Sequence, residues 1–502
     1  MSQWKLFEIM ISMDCIWIMC VGMNIVIPKN QKHMRSLQKR IICTLVLISL
    51  IFSTVLPIVV NAENLGINKS FSTTRSKTFE NYDMIIIGPS IYESALETFI
   101  EHKNNRDIIS KFVKLEDIYS GMYFEVQGRD DQEQIKYFIK DAIETWLITY
   151  TLFVGSYKQI PVRYCYNNDN YSNSPEPKFI SELYYADIYD DTGEFSSWDT
   201  NEDGIYGKWD GDVAEDKPIN LTPDICLGRL ACIDVGEVTT VVNKIINYEN
   251  QPADPSWFKR MVMVGGDTYQ EFEGFEGEVN NQRAIDTMDE SFIPIKLWAS
   301  NGKLKKEGWN IIGEINKGAG FWYLSGHGNT NIWVTYSADH TKLGRLTSYI
   351  FLLLLNKNKL PVTIVGGCHN SEFAIPTQIE SWNPFRWLKE CFSWQLVSKP
   401  NGGSIATIGA TGLSWYGIEF GGGGTDWLNV QLFKEFSNDE KILGQIWKNA
   451  IIKYLDEFPI DWETPSGEMS SIDAKSVQEW TLLGDPSLTI GGGTEEVVNR
   501  NL

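Results

Sequence analysis

The chain alternates short apolar runs with longer stretches in which apolar residues recur at helical spacing. Apolar runs bounded by glycine or polar residues are typical of strands buried on both faces of a parallel sheet. We predict strands at 82–88, 152–155, 224–230, 260–265, 320–325, 360–366 and 403–409. We predict helices at 131–148, 235–248, 278–288, 343–355, 426–436 and 441–455. This alternation indicates an α/β protein with a mainly parallel sheet.

A Pro-rich stretch at 251–256 divides the pattern into two parts. We expect an N-terminal α/β subdomain over 81–255 and a second α/β subdomain over 256–492, followed by a short tail at 493–502. Residues 63–80 are rich in Ser and Thr and show no periodicity, which favours a leader or linker.

The first 62 residues have the features of a targeting segment. A basic cluster that begins at Met34 and contains Lys39 and Arg40 precedes an apolar run over 41–60, and Asn61-Ala62 offers a small residue for cleavage. We expect a secretory signal or an uncleaved anchor here, with translation starting at Met34. The protein would then be secreted or held at the outer face of the membrane.

Composition narrows the function further. The formal net charge of −21 over 502 residues excludes nucleic acid as a plausible partner. Beyond residue 62 the sequence has five cysteines, an odd number, so at least one thiol is unpaired or pairs between molecules.

Two of the predicted strands run directly into reactive side chains. His327 follows the strand at 320–325, and Cys368 follows the strand at 360–366. If these two strands are parallel neighbours, both side chains lie at the carboxyl edge of the sheet, where open α/β sheets hold their active sites. A thiol beside an imidazole supports nucleophilic acyl transfer, and the N–H groups of Gly328 and Cys368 are candidate donors to an oxyanion.

Several segments, taken in order, resemble the gingipain family of cysteine peptidases, which belongs to the caspase-like clan. They are 227–231 with 247–249, 323–328, 408–415 and 483–487. The resemblance implies a caspase-like parallel sheet sandwiched by helices and preceded by a second α/β subdomain. It also implies an endopeptidase in which Cys368 attacks the peptide carbonyl and His327 protonates the leaving amine.

The same resemblance suggests supporting residues. Asp267 matches the position of an acidic residue that supports the histidine, although that residue is glutamate in the family. Glu278, eleven residues later, matches a carboxylate of the primary-specificity pocket, which would favour Arg or Lys before the scissile bond. Trp415 matches a tryptophan that lines this pocket. From the residues alone, Glu278 equally fits a first helical turn, and Trp415 equally fits the core.

A separate acidic segment at 199–210 has the spacing of a calcium loop. Asp199, Asn201 and Asp203 stand at positions 1, 3 and 5, glycine at 6, the carbonyl of Ile205 at 7 and Asp210 at 12. We predict a structural calcium site formed by these five residues. An acidic solvated turn is the alternative.

The leading hypothesis is therefore a secreted, calcium-stabilised cysteine endopeptidase that acts on peptides or proteins without an organic cofactor. Two alternatives remain open from the sequence. One is an inert caspase-like module that binds peptides or surfaces, and the other is a Cys/His transpeptidase that passes the acyl group to an amine.

Overall fold

A computed structural model describes residues 81–169, 176–250, 252–269, 274–375, 390–416 and 422–493. Its strands are β1 (Met84–Gly88), β2 (Ser110–Lys114), β3 (Tyr150–Val154), β4 (Tyr164–Asn167), β5 (Lys178–Ile180), β6 (Tyr206–Trp209), β7 (Cys226–Leu230), β8 (Arg260–Gly265), β9 (Ile293–Trp298), β10 (Phe321–Ser325), β11 (His327–Asn329), β12 (Ile332–Tyr336), β13 (Lys342–Thr347), β14 (Val362–Gly366), β15 (Ala406–Ala410) and β16 (Trp480–Leu483). Its α-helices are α1 (Glu93–Asn104), α2 (Leu115–Tyr119), α3 (Asp131–Trp146), α4 (Val235–Glu249), α5 (Pro255–Phe258), α6 (Glu276–Thr287), α7 (Trp309–Ile315), α8 (Phe392–Ser398), α9 (Gly424–Ser437), α10 (Leu443–Glu457) and α11 (Met469–Glu479).

Ten strands form one sheet in the order β2-β1-β3-β7-β16-β15-β14-β10-β8-β9. All neighbouring pairs are parallel except β15 with β16. The strands of 81–255 and those of 256–492 occupy opposite halves of the sheet, and a single residue pair, Leu483 with Arg229, joins the halves. The division into two subdomains at 251–256 stays a prediction.

The central strands are buried along their whole length, which explains why they are apolar runs without alternation. The helices begin where the sequence supplies caps. Asp130 accepts a hydrogen bond from the N–H of Glu133 at the start of α3, and Asp234 accepts one from Glu237 at the start of α4. The predicted fold class, a mainly parallel sheet flanked by helices, is confirmed.

The predicted helix at 343–355 is wrong. Its first part is β13, which pairs antiparallel with β12, and its second part is a 3₁₀-helix over Ser348–Leu353. Gly344 adopts a left-handed backbone conformation (φ +63°), which breaks an α-helix at its start. The connection from β10 to β14 therefore runs through a three-stranded antiparallel sheet, β11-β12-β13.

The expected signal or anchor at 1–62 and the leader at 63–80 lie outside the described residues. Within the described residues, no helix is both long and apolar enough to cross a membrane.

Candidate active site at the carboxyl edge of the sheet

His327 and Cys368 are placed by the register of β10 and β14. Ser325 on β10 is paired with Gly366 on β14, and each reactive side chain follows its paired residue by two positions. Parallel neighbours lie about 4.8 Å apart, so the two residues leave the sheet side by side. The structure therefore places both at one edge, as their strand positions indicated.

Both side chains line one cavity of about 130 Å³. Its walls come from three separate stretches that follow β8, β10 and β14, and from a fourth that follows β15. The remaining lining residues are Thr268, Tyr269, Gly326, Gly367, Leu413, Ser414, Trp415, Tyr416 and Thr425. Trp415, assigned to a pocket wall through the family resemblance, thus lines the same cavity as Cys368.

The imidazole of His327 is oriented by the backbone that follows β8. Its Nε2 lies 2.7 Å from the carbonyl oxygen of Thr268. A backbone carbonyl can only accept a hydrogen bond, so Nε2 carries the proton and Nδ1 is the basic nitrogen of the neutral ring. Tyr336 packs edge-on against the ring, with the centroids 5.6 Å apart. The ring is thus held in the tautomer that a general base requires.

The thiol of Cys368 is held in its neutral form. Burial raises its pKa to about 11, and the charges of Glu479 and Glu176 add to the increase. The thiol donates to the carbonyl of Ser414 over 3.7 Å, a contact that favours the protonated form. At neutral pH the resting sulfur is therefore a thiol, and its proton must leave during the reaction.

Gly328 lies in close contact with the turn that carries the cysteine. A Cβ on Gly328 would come within 2.1 Å of Asn370 Oδ1 and 2.6 Å of the Cys368 carbonyl oxygen. The Nδ2 of Asn370 donates to the carbonyls of Asn329 and Ile332, at 2.7 and 3.0 Å. Asn370 thereby ties the cysteine turn to the hairpin after His327. Sequence reasoning missed it, and its position two residues after the cysteine was the only available signal.

Asp267 is buried beside the histidine, but the hydrogen bond to the ring comes from the next residue. Asp267 exchanges backbone hydrogen bonds with Tyr336, at 3.0 and 3.2 Å, and so fixes β8 to β12. The Thr268 carbonyl contacts the ring, and the support that the family resemblance assigned to the Asp267 side chain stays a prediction.

Glu278 does not belong to the described lining of the cleft. It lies in the first turn of α6, and its carboxylate accepts from the N–H of Ser300 at 2.8 Å and from the Ser300 hydroxyl. Burial raises its pKa. Glu276, two residues earlier, is not a lining residue either, but it accepts from the N–H groups of two residues that are, Thr268 and Tyr269, at 2.9 and 3.2 Å.

One carboxylate oxygen of Glu276 has no donor among the described residues. The residue is 4% exposed, and this oxygen is Oε1. Asp426, another buried carboxylate near this wall, has Arg283 at 3.5 Å. Sequence reasoning missed Glu276 because the family resemblance gave a fixed spacing from Asp267, and that spacing selects Glu278. Which glutamate of the first helical turn faces the ends of the strands depends on how α6 begins in the structure.

The acidic loop at 199–210 is organised around backbone N–H groups and cations. Asp199 accepts from the N–H of Asp203 and Gly204 and pairs with Arg129 at 2.7 Å. Asp203 pairs with Lys208 at 3.0 Å. Asp210, the predicted last ligand, instead accepts from Asn168 Nδ2 at 2.8 Å.

Asn201 also serves the loop itself, because its Oδ1 accepts from the N–H of Asp203. Ile205 donates its N–H to Asp203 Oδ1. In the described part of the chain, no three His, Cys, Asp or Glu side chains are arranged to hold a metal ion. The calcium site formed by the five predicted ligands stays a prediction.

All five cysteines beyond residue 62 are unpaired, and four of them are buried. Cys368 differs from the other four in being partly exposed. It is the thiol that a reagent or substrate can reach.

Comparison with known sequences connects this geometry to a family. The profile of peptidase family C25 matches residues 77–491. Gingipain R2 of Porphyromonas gingivalis strain W83 is 23% identical over 419 residues, which cover 82% of this chain and 46% of that protein. Gingipain R1 of P. gingivalis is 22% identical over 452 residues, which cover 85% of this chain and 37% of that protein. The chain spans less than half the length of these relatives.

Solved structures show the same fold. The complex of the P. gingivalis RgpB pro- and mature domains matches with a TM-score of 0.56 at 20% identity, over 81% of this chain and 79% of that one. The Arg-specific cysteine proteinase gingipain R (RgpB) matches with a TM-score of 0.56 at 19% identity, over 84% and 80%. These matches confirm the caspase-like arrangement expected from the sequence.

Proposed function

This chain belongs to peptidase family C25, and from that premise we propose that it is a cysteine endopeptidase in which Cys368 is the nucleophile and His327 the general base and acid. The observation that carries the proposal is the register of β10 and β14, which brings the two side chains to one cleft. The assigned tautomer of His327 supports it, because Nδ1 is free to take the thiol proton.

The reaction proceeds in two steps. As Sγ of Cys368 bonds to the carbonyl carbon of the substrate, the thiol proton passes to Nδ1 of His327, and the N–H groups of Gly328 and Cys368 stabilise the oxyanion. His327 then gives this proton to the leaving amine, and a thioester forms. Water, deprotonated by His327, hydrolyses the thioester and restores the thiol. Because burial favours the neutral thiol, its proton must pass to His327 in the course of the reaction.

We further propose that the peptidase prefers Arg or Lys before the scissile bond, with Glu276 in place of Glu278 as the residue that binds the cation. A buried carboxylate oxygen that lacks a donor is a costly arrangement, and a guanidinium or ammonium group would satisfy it. Its other oxygen is fixed by two N–H groups of the cleft wall, which orients the side chain. Glu278 is already satisfied by Ser300.

The test is a digest of a peptide library by the wild-type protein and by Cys368→Ala. We expect the variant to retain the fold, measured by circular dichroism, and to lose cleavage by about 10⁴-fold or more. Cleavage by the variant at the wild-type rate would remove Cys368 from the mechanism.

Two other functions predict different products. An inert binding module would bind peptides and leave a thiol-directed peptide probe unreacted at Cys368. A transpeptidase would form ligated products when a second peptide amine is supplied, and mass spectrometry of the digest distinguishes ligation from hydrolysis.

Two further parts of the proposal rest on the sequence. The targeting features at 34–62 support secretion or attachment at the outer face of the membrane. The motif at 199–210 supports calcium binding, although Arg129 and Lys208 now neutralise two of its carboxylates. No step of the reaction depends on this ion.

A further inference from the structure

The wall of the cleft that carries Leu413, Ser414 and Trp415 is held by two side chains next to β4 and β5, strands of the separate three-stranded sheet β5-β4-β6. Asp169, just beyond β4, accepts a hydrogen bond from Nε1 of Trp415 through Oδ2 at 3.0 Å. The same oxygen accepts from Nζ of Lys475 at 3.0 Å. The indole that lines the cavity is therefore anchored to a carboxylate beside β4.

Glu176 makes the second attachment. Its Oε2 accepts from the N–H of Leu413, and its Oε1 lies 3.5 Å from Nε2 of His369, the residue after Cys368. Lys475 also donates to the backbone carbonyl of Glu176, at 3.2 Å. Glu176 thus contacts both the wall and the turn that carries the nucleophile.

These contacts reach the nucleophile through one carbonyl. Ser414 lies between Leu413 and Trp415, and its carbonyl accepts the thiol proton of Cys368 at 3.7 Å. The Ser414 hydroxyl accepts from Nε1 of Trp480 at 3.0 Å. Glu176 therefore holds the backbone next to the partner of the resting thiol, and Asp169 holds the Trp415 ring.

The charged side chains behind this wall are buried, and removing them from water costs free energy. Asp169 and Lys475 are almost fully buried, and Glu479, buried beside them, has a pKa raised well above its ordinary value by desolvation and by the charge of Glu176. Buried ion pairs add little net stability relative to apolar packing. Here these buried groups position residues of the cleft, because they hydrogen-bond to them.

We propose that Asp169 and Glu176 are positioning residues of the active site: Asp169 fixes the Trp415 wall that substrate contacts, and Glu176 fixes the Leu413–Ser414 backbone beside the nucleophile. The inference rests on the proposed peptidase function. It assigns the region next to the small sheet β5-β4-β6 a part in substrate binding at the edge of the ten-stranded sheet.

The test separates thiol chemistry from wall geometry with two reagents. Iodoacetamide is small and reports reactivity of Cys368, whereas a peptidyl chloromethyl ketone with arginine beside the ketone must also fit the wall. We expect Asp169→Ala to slow the ketone by about tenfold or more while the iodoacetamide rate is unchanged. Asp169→Asn, which keeps an acceptor for Trp415, should restore much of the ketone rate.

Glu176 is tested by hydrogen exchange, which does not depend on activity. Glu176→Ala should speed exchange of the Leu413 amide by about tenfold or more, and Glu176→Gln, which keeps an acceptor oxygen, should not. Glu182→Gln is the matched control, because Glu182 is a buried carboxylate of the same region that pairs with Arg229. It should change neither the Leu413 amide nor the ratio of the two reagent rates.

Two results would overturn the inference. One is that Asp169→Ala lowers the rates of both reagents, and by no more than Glu182→Gln does. Asp169 would then contribute only to stability. The other is unchanged exchange at Leu413 in Glu176→Ala. If iodoacetamide labels wild-type Cys368 but the peptidyl ketone does not, the proposed specificity fails, and the exchange experiment still decides the role of Glu176.

Discussion

The sheet edge at Cys368 and the acidic loop at 199–210 were both identified from residue spacing, yet the structure treats them differently. At the edge, two side chains 41 residues apart meet because parallel strands in register carry them there. In the loop, residues at the expected positions turn to N–H groups, to Arg129 and Lys208, and to Asn168. Strand register fixes the backbone positions from which the two side chains extend. The spacing of a local motif does not fix which partner each of its side chains binds.

The largest expected effect falls on the edge. His327→Ala should lower kcat/KM for peptide cleavage by about 10³-fold, because general acid–base catalysis typically contributes 10²–10⁴-fold. His340→Ala is the control, since His340 lies in the turn between β12 and β13. Equal activity of the two variants would show that His327 lies beside Cys368 without taking part in the reaction.

The two glutamates of α6 sharpen the contrast between spacing and contact. Glu276→Gln should lower kcat/KM for arginine peptides by about 10- to 100-fold, because a charged hydrogen bond to the substrate is lost. Glu278→Gln should leave kcat/KM near the wild-type value, since its partner is Ser300. If Glu278→Gln lowered kcat/KM and Glu276→Gln did not, Glu278 would be the pocket carboxylate, as the family resemblance suggested.

The protonation of Cys368 can be followed directly. With a thiol pKa of about 11, the thiolate fraction rises with pH until pH 11. The rate of alkylation by iodoacetamide should therefore increase about tenfold per pH unit between pH 7 and 10. His327→Ala should not alter this slope, because burial and the charges of Glu479 and Glu176 cause the shift. A plateau near neutral pH would instead indicate a resting thiolate–imidazolium pair.

The smallest effect concerns the loop. Because calcium would have to displace Lys208 and Arg129, we expect millimolar calcium to raise the Tm by only about 1–2 °C relative to chelator. Lys208→Ala frees Asp203 and should enlarge this rise. If calcium raised the Tm of neither protein, the calcium prediction would be wrong. A large increase in the Tm of the wild-type protein would show that the loop rearranges around the ion.

The fold was predictable where one signal dominated. Buried strands such as β1, β8 and β14 are short apolar runs, and Asp130 and Asp234 mark helix starts by capping. The segment at 343–355 misled because Leu343 and Leu346 have helical spacing, whereas pairing with β12 makes this part a strand. The edge strands β2 and β9 were missed because they are only partly buried and less uniformly apolar.

The sequence by itself determined the α/β class, the family and the strand ends that carry His327 and Cys368, because hydrophobic periodicity and strand polarity act through the backbone. Only the tertiary structure decided which groups surround them: the Thr268 carbonyl behind the imidazole, Glu276 at the start of α6, and Asp169 and Glu176 on the cleft wall. These contacts depend on distances between segments far apart in the chain, and side-chain partners are selected by those distances after the sheet has assembled.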